Sequence, residues 1–250
     1  MNCEKLTDID LPSTLETITS EGSKDKYFKG YNFGYTFANC TSLKKIDLPD
    51  KVSYLGSFAF ANSGLVSIEL PEALVNLTVI NESLDPDAEF DEDYRYVECW
   101  YSESDIKNES SNYINSNISG QFANCQYLER VVVSSKLKNI GSRVFWRSPK
   151  LSKIVYRGYV GSGSALPATL SVISTNAFAT CAAGDLLVEG VEHLDTMAFA
   201  ESGFTSVTFG ENCSFEKLKI QTFYNAENLT KVVLPDTLTE IGCEAFYGTS

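Results

Sequence analysis

FANCTSLKKIDLPDKVSYLGSFAF, residues 37–60, returns in the same pattern as FYNAENLTKVVLPDTLTEIGCEAF at 223–246. Both fit F-x-x-C/A-x-x-L-x-x-I/V-x-L-P-x-x-V/L-x-x-L/I-G-x-x-A-F. The pattern starts at Phe37, Phe60, Phe122, Phe145, Phe178, Phe199, Phe223 and Phe246, mostly 21 to 24 residues apart. The steps from Phe60 to Phe122 and from Phe145 to Phe178 are longer and contain insertions. Residues 3–18, CEKLTDIDLPSTLETI, join the same register at their Cys. Eight strand-forming segments result, and five of the seven prolines fall in the Leu-Pro step.

A repeat of this length with x-x-L-x-L spacing indicates a leucine-rich solenoid. Ile46 and Leu48 are two apart, so a strand puts both on one face. One coil cannot bury that face, but stacked coils can. Ile46 should then rest on its equivalents Ile9, Ile68, Val131, Ile154, Leu186, Val207 and Val232. Pro ends each strand because it offers no N–H to a ladder. Leu55 and Gly56 turn the chain to the far side, and Phe60 fills the interior. The Cys column reads Cys3, Cys40, Ser63, Cys125, Ser148, Cys181, Ser202, Ala226 and Thr249. Every member is small, so the slot selects volume and weak hydrogen bonding.

The segments FANCTSLKKIDLP, FANSGL and IGCEAF resemble the BspA-like subclass of leucine-rich repeats. The resemblance covers nearly the whole chain outside three insertions. It implies a right-handed open superhelix with one parallel β-sheet on the concave face, and short helical turns and loops elsewhere. It implies residues 1–250 as a single solenoid of about eight coils, interrupted at 19–35, 78–117 and 157–165. It also implies a secreted or cell-surface adhesion or protein-binding module, since members are typically displayed by mucosa-associated microbes. No catalytic residues carry over. Each insertion should leave its coil as a surface excursion.

The net charge is −13, which disfavours a nucleic-acid partner. Eleven acids against Arg95 and Lys107 place −9 of it between Thr78 and Asn117. DPDAEFDEDYRY in that stretch alternates acids like a calcium loop. Phe90 replaces the required Gly and Tyr96 the required Glu, so a solvated acidic excursion is the simpler reading. No apolar run reaches the roughly 18 residues of a membrane helix, and MNCEKLTDID lacks the features of a signal peptide.

His193 is the only histidine and occupies an outward position in VEHL, so a histidine-based triad has no support. The cysteines include no C-x-x-C pair, so zinc and thiol catalysis lack ligands and partners. The chain is expected to be no enzyme and to need no cofactor. Outward positions on the strands name a candidate binding surface. The first three coils present acidic or polar residues beside Lys45. Later coils present Val132, Val155, Leu187 and Val233 beside Arg130, Lys153 and Lys231. An apolar strip with a cationic margin suits a protein partner, such as a host or matrix protein. Two readings remain open: a binding module using this face, or a spacer in a longer stalk with further repeats at one or both ends.

Overall fold

The computed structural model describes residues 3–19, 35–77, 120–181 and 184–250. The chain forms short strands in order. The first four are β1 (Thr17–Ile18), β2 (Tyr54–Leu55), β3 (Ser67–Glu69) and β4 (Asn76–Leu77). Then come β5 (Arg130–Val133), β6 (Asn139–Ile140), β7 (Lys153–Tyr156), β8 (Ser164–Leu166) and β9 (Val172–Ile173). The rest are β10 (Asp185–Val191), β11 (His193–Leu194), β12 (Ser206–Cys213), β13 (Lys217–Leu218), β14 (Lys231–Val233) and β15 (Glu240–Ile241). All pairings are parallel.

The main sheet has seven strands in the order β14-β12-β10-β8-β7-β5-β3. Its register aligns Ile68 with Val131, Val131 with Ile154, Leu186 with Val207, and Val207 with Val232. All but the last of these are buried, as period-2 spacing requires. Two coils depart from the expected eight-strand sheet. Ile46 is 5% exposed, Leu48 is half-buried, and Lys45 and Asp47 are exposed, yet residues 43–49 do not enter the ladder. Residues 6–12 also stay outside it, with Ile9 half-buried.

A second wall of parallel pairs was read from the sequence only as a turn. The order β11-β9-β6-β4 forms one four-stranded sheet, and β1-β2 and β13-β15 are its two-stranded counterparts. Each two-residue strand except β15 points one apolar side chain inward, as Leu55, Leu77, Ile140, Ile173, Leu194 and Leu218 do.

The third wall carries the Phe column. No helix forms among the described residues. In its place each coil from Phe60 onward adopts two left-handed residues four apart, such as Phe58 and Asn62, Arg143 and Arg147, Asn176 and Thr180, Met197 and Glu201, and Gln221 and Asn225. Left-handed geometry reverses the helical sense and costs a non-glycine residue roughly 1–2 kcal/mol, so a helix cannot propagate. The compensation is a ladder between coils, in which Phe60 N–H donates to Gln121 O at 2.8 Å and Asn62 N–H to Ala123 O at 2.8 Å. Asn62 also donates through its amide to Asn39 Oδ1 at 2.6 Å, and Asn124 does so to Asn62 Oδ1 at 3.3 Å. Gly120 occupies one left-handed position, with φ +54°, where a Cβ would meet the Phe58 ring at 2.6 Å.

Inside, eight Phe rings stack with centroids 5.2 to 5.8 Å apart, from Phe37 through Phe60, Phe122, Phe145, Phe178, Phe199 and Phe223 to Phe246. The stack passes from Phe60 to Phe122 without a break. One hydrophobic cluster runs from Ile18 to Ala245.

The insertion at 157–165 is only partly a surface excursion, because Ser164 and Ala165 belong to β8, inside the main sheet. Ser164 therefore stands between Ile154 and Leu186 in the apolar column. It is 3% exposed, and its Oγ accepts a hydrogen bond from Ile154 N–H at 3.1 Å. The acidic stretch 78–117, with its calcium-like spacing, and most of the 19–35 insertion lie outside the described residues.

Candidate functional site

The alternation of β3, β5, β7, β8, β10, β12 and β14 sends every second side chain to the outer face of the main sheet. Register places Arg130 beside Lys153, and Val132 between Glu69 and Val155. Val155 is next to Ala165, and Ala165 next to Leu187. Lys231 and Val233 follow beyond Ser206 and Thr208 on the last strand. Lys45 belongs to the coil outside the ladder and does not join this group. Its ammonium holds Asp47 at 2.9 Å, and that hydrogen bond and charge raise its pKa.

The apolar strip is not open along its length. Val132 and Val155 are each 5% exposed and Ala165 is 0%, which corrects the expectation that both valines face solvent. The reason is topological. Neighbouring β7 and β8 run in the same direction, so residues 157–163 must return along one face of the sheet. The inner face is filled by Val133, Ile154 and Leu166, all fully buried. The return strap therefore crosses the outer face and shields Val155, Ala165 and the adjoining Val132. Lys153 anchors it, donating from Nζ to the carbonyls of Ser162 and Gly163, the latter at 2.6 Å. Lys153 is thus a strap residue, half-buried, and not a free cation. Leu187 is half-buried; Arg130, Lys231 and Val233 are exposed.

Arg157, at the root of the strap, was not singled out in the sequence. Its guanidinium donates to Leu70 O at 3.2 Å and lies 3.4 Å from Glu72 and 3.9 Å from Glu69. Burial opposes ionisation of Glu72. The Ser135 amide at 3.1 Å, the Ser134 and Ser135 hydroxyls and the Arg157 charge outweigh it, and the carboxyl titrates below its usual range. Arg157 also lines an open cleft of about 340 Å³ with Lys45, Asp47, Ser67 and Glu69, floored by Ile46 and Ile68. The cleft coincides with the missing ladder between residues 43–49 and β3. There the coils are joined by Gly64 N–H to Cys40 O and Val66 N–H to Lys44 O, each at 3.0 Å, and by the Phe wall.

A second feature missed in the sequence lies in the turns before the strands. Tyr127 is 49% exposed, with Lys44 Nζ at 4.6 Å and Lys150 Nζ at 5.1 Å from its ring centre. Each ammonium gains from the ring face, and the ring holds two like charges together. No spacing rule links three turn residues from three coils, so only the stack reveals them. His193 is exposed in β11, paired with Val172. Among the described residues, no three His, Cys, Asp or Glu side chains converge to hold a metal, and no helix is long and apolar enough to cross a membrane.

A family model described as the BspA type leucine-rich repeat region matches residues 33–84, 92–165 and 161–250, in six copies. No curated protein matches the chain. Among solved structures, it is similar to a leucine-rich repeat protein from Bacteroides ovatus, at 18% identity and a TM-score of 0.45, over 99% of this chain and 59% of that one. It is also similar to the pneumococcal vaccine antigen PcpA, at 17% identity and a TM-score of 0.38, over 98% of this chain and 57% of that one. The chain therefore spans less than two thirds of the length of either structure.

Proposed function

Because the chain belongs to the BspA-type leucine-rich repeat family, we propose that it is a non-catalytic protein-binding module of a secreted or cell-surface protein, binding through the outer face of its main sheet. The observation that carries the reading is the open part of that face. Arg130 and Lys231 are exposed cations, Val233 is 39% exposed, and Leu187 is half-buried between them. Mixed apolar and cationic surface of this kind favours association with a protein and steers an acidic partner. The basic Tyr127 cluster extends it at the strand starts.

The test is binding to immobilised extracellular matrix proteins by Arg130→Glu, Lys231→Glu and Val233→Asp variants, with Lys138→Glu on the second wall as control. At least tenfold weaker binding by the first three alone supports the reading. Equal loss in the control, or no matrix protein bound by the parent chain, rejects it.

A spacer role is favoured by a different observation. In the last coil, Ile241 is 56% and Tyr247 61% exposed, and Val232, Leu234, Leu238 and Phe246 are only partly buried. A further coil of the same kind would cover that surface. Fusion to such a coil should raise the melting temperature if the surface is a stacking face.

A further inference from the structure

Parallel pairing closes every seam of the main sheet from β3 to β14, but the seam before β3 stays open. Arg130 N–H donates to Val66 O at 3.3 Å and Leu70 N–H to Val132 O at 2.8 Å. Main-chain groups alternate sides along a strand, so Ile68 turns to β5 while Ser67 and Glu69 turn toward residues 45–49. Among the described residues, no main-chain bond meets Ser67 or Glu69 from that side; the bonds across the seam end at Val66 N–H to Lys44 O. The free edge borders the cleft of about 340 Å³, whose floor is Ile46 and Ile68, 5% and 2% exposed. Asp47 and Glu69 occupy equivalent outward positions of the two coils, and their side chains are 84% and 65% exposed.

We propose that this cleft binds an extended peptide segment of a partner protein, which adds to the free edge of β3 and carries an apolar–basic–apolar pattern. An unpaired strand edge is a template for another chain, whose main chain pairs with it whatever its sequence. The side chains set the preference. Residues of the segment that face inward would cover Ile46 and Ile68 and must be apolar. The outward residue between them would stand between Asp47 and Glu69, where a Lys or Arg meets two carboxylates. Lys45 at 2.9 Å from Asp47 and Arg157 at 3.9 Å from Glu69 already offset part of that charge. Both pairs are solvent-exposed, so an incoming cation displaces them at little cost.

The backbone also sets the ends of the site. The bond between Val66 and Lys44 closes one end, and Pro71 at the other has no N–H to extend the edge. The segment therefore pairs along residues 67–70 and no further. The site is separate from the outer-face surface around Lys231 and Val233 and does not rest on it.

The test uses the full chain and a blocked pentapeptide, acetyl-Thr-Ile-Lys-Leu-Ser-amide, with titration calorimetry and residue-resolved amide exchange as readouts. The peptide should bind, and at saturation exchange at Ser67 and Glu69 should slow at least fivefold. The analogue with Glu in place of Lys should bind about tenfold more weakly. The fully N-methylated analogue keeps every side chain but has no N–H, and it should not bind. Asp47→Asn combined with Glu69→Gln, both at exposed positions, should erase the preference for Lys over Glu. Lys138→Glu on the second wall should keep it. No binding by the parent chain, equal binding of the Glu or N-methylated peptide, or binding with unchanged exchange at Ser67 and Glu69 would overturn the proposal.

Discussion

Phe60 and Phe145 are fully buried and sandwiched between rings on both sides. Phe60→Ala or Phe145→Ala should lower stability by about 3–5 kcal/mol in denaturant titrations, because the gap interrupts a stack that cannot collapse along its axis. Cys125→Ser should be mild. Cys125 Sγ donates to Phe60 O at 3.1 Å, and in the next coil Ser148 Oγ donates to Phe122 O at 3.0 Å; the slot accepts either donor. The same thiol sets a pH dependence. Burial pushes the Cys125 pKa up from 9.0 to about 11. A raised folded pKa means the neutral thiol stabilises the fold fully below the unfolded value, and that contribution is lost between about pH 9 and 11. Cys125→Ser should flatten the fall in melting temperature over that interval relative to the parent chain.

At the scale of elements, β8 is the informative case. Column logic suggests that an apolar residue at 164 would complete the stack between Ile154 and Leu186. The Ser164 hydroxyl, however, accepts the Ile154 N–H inside the core. Ser164→Val should therefore destabilise by about 1–3 kcal/mol, since a buried donor loses its partner. A stabilised variant would show that the hydroxyl is incidental. The strap makes a separate prediction. Lys153→Met removes both bonds to the Ser162 and Gly163 carbonyls. Hydrogen exchange at 157–163 should accelerate, and a hydrophobic dye should gain access to Val132 and Val155. Unchanged exchange would mean that the strap is held by its topology alone.

For the whole molecule, the continuous stack across Phe60 and Phe122, 5.5 Å apart, makes the intervening acidic stretch separable from the coils. Deleting residues 80–116 should preserve cooperative unfolding, because a shorter loop changes closure entropy only slightly. The deletion also removes a net −9, so binding of the parent chain to cationic surfaces should weaken in the variant and with added salt. Loss of cooperative unfolding would make the stretch part of the core. A large calcium-dependent rise in the parent's melting temperature would restore the metal reading of its alternating acids.

The repeat, the inward Ile and Leu positions, the Phe column and the small-residue slot were legible in the sequence because each follows from local periodicity copied coil after coil. Identical side chains at identical phases can bury themselves only by stacking, so a period of 21 to 24 residues carries the fold with it. The candidate face was legible only as a list of outward residues. Whether an outward residue is open depends on what crosses above it, and the strap over Val155 arises because β8 pairs in parallel with β7. The second wall of two-residue strands, the left-handed turns in place of helices, the cleft at Arg157 and the Tyr127 cluster were likewise decided by the tertiary structure. Each depends on neighbours as far as 112 residues apart in sequence, as Lys45 and Arg157 are, or on a backbone ladder shared between coils. Spacing within a single coil holds no information about either.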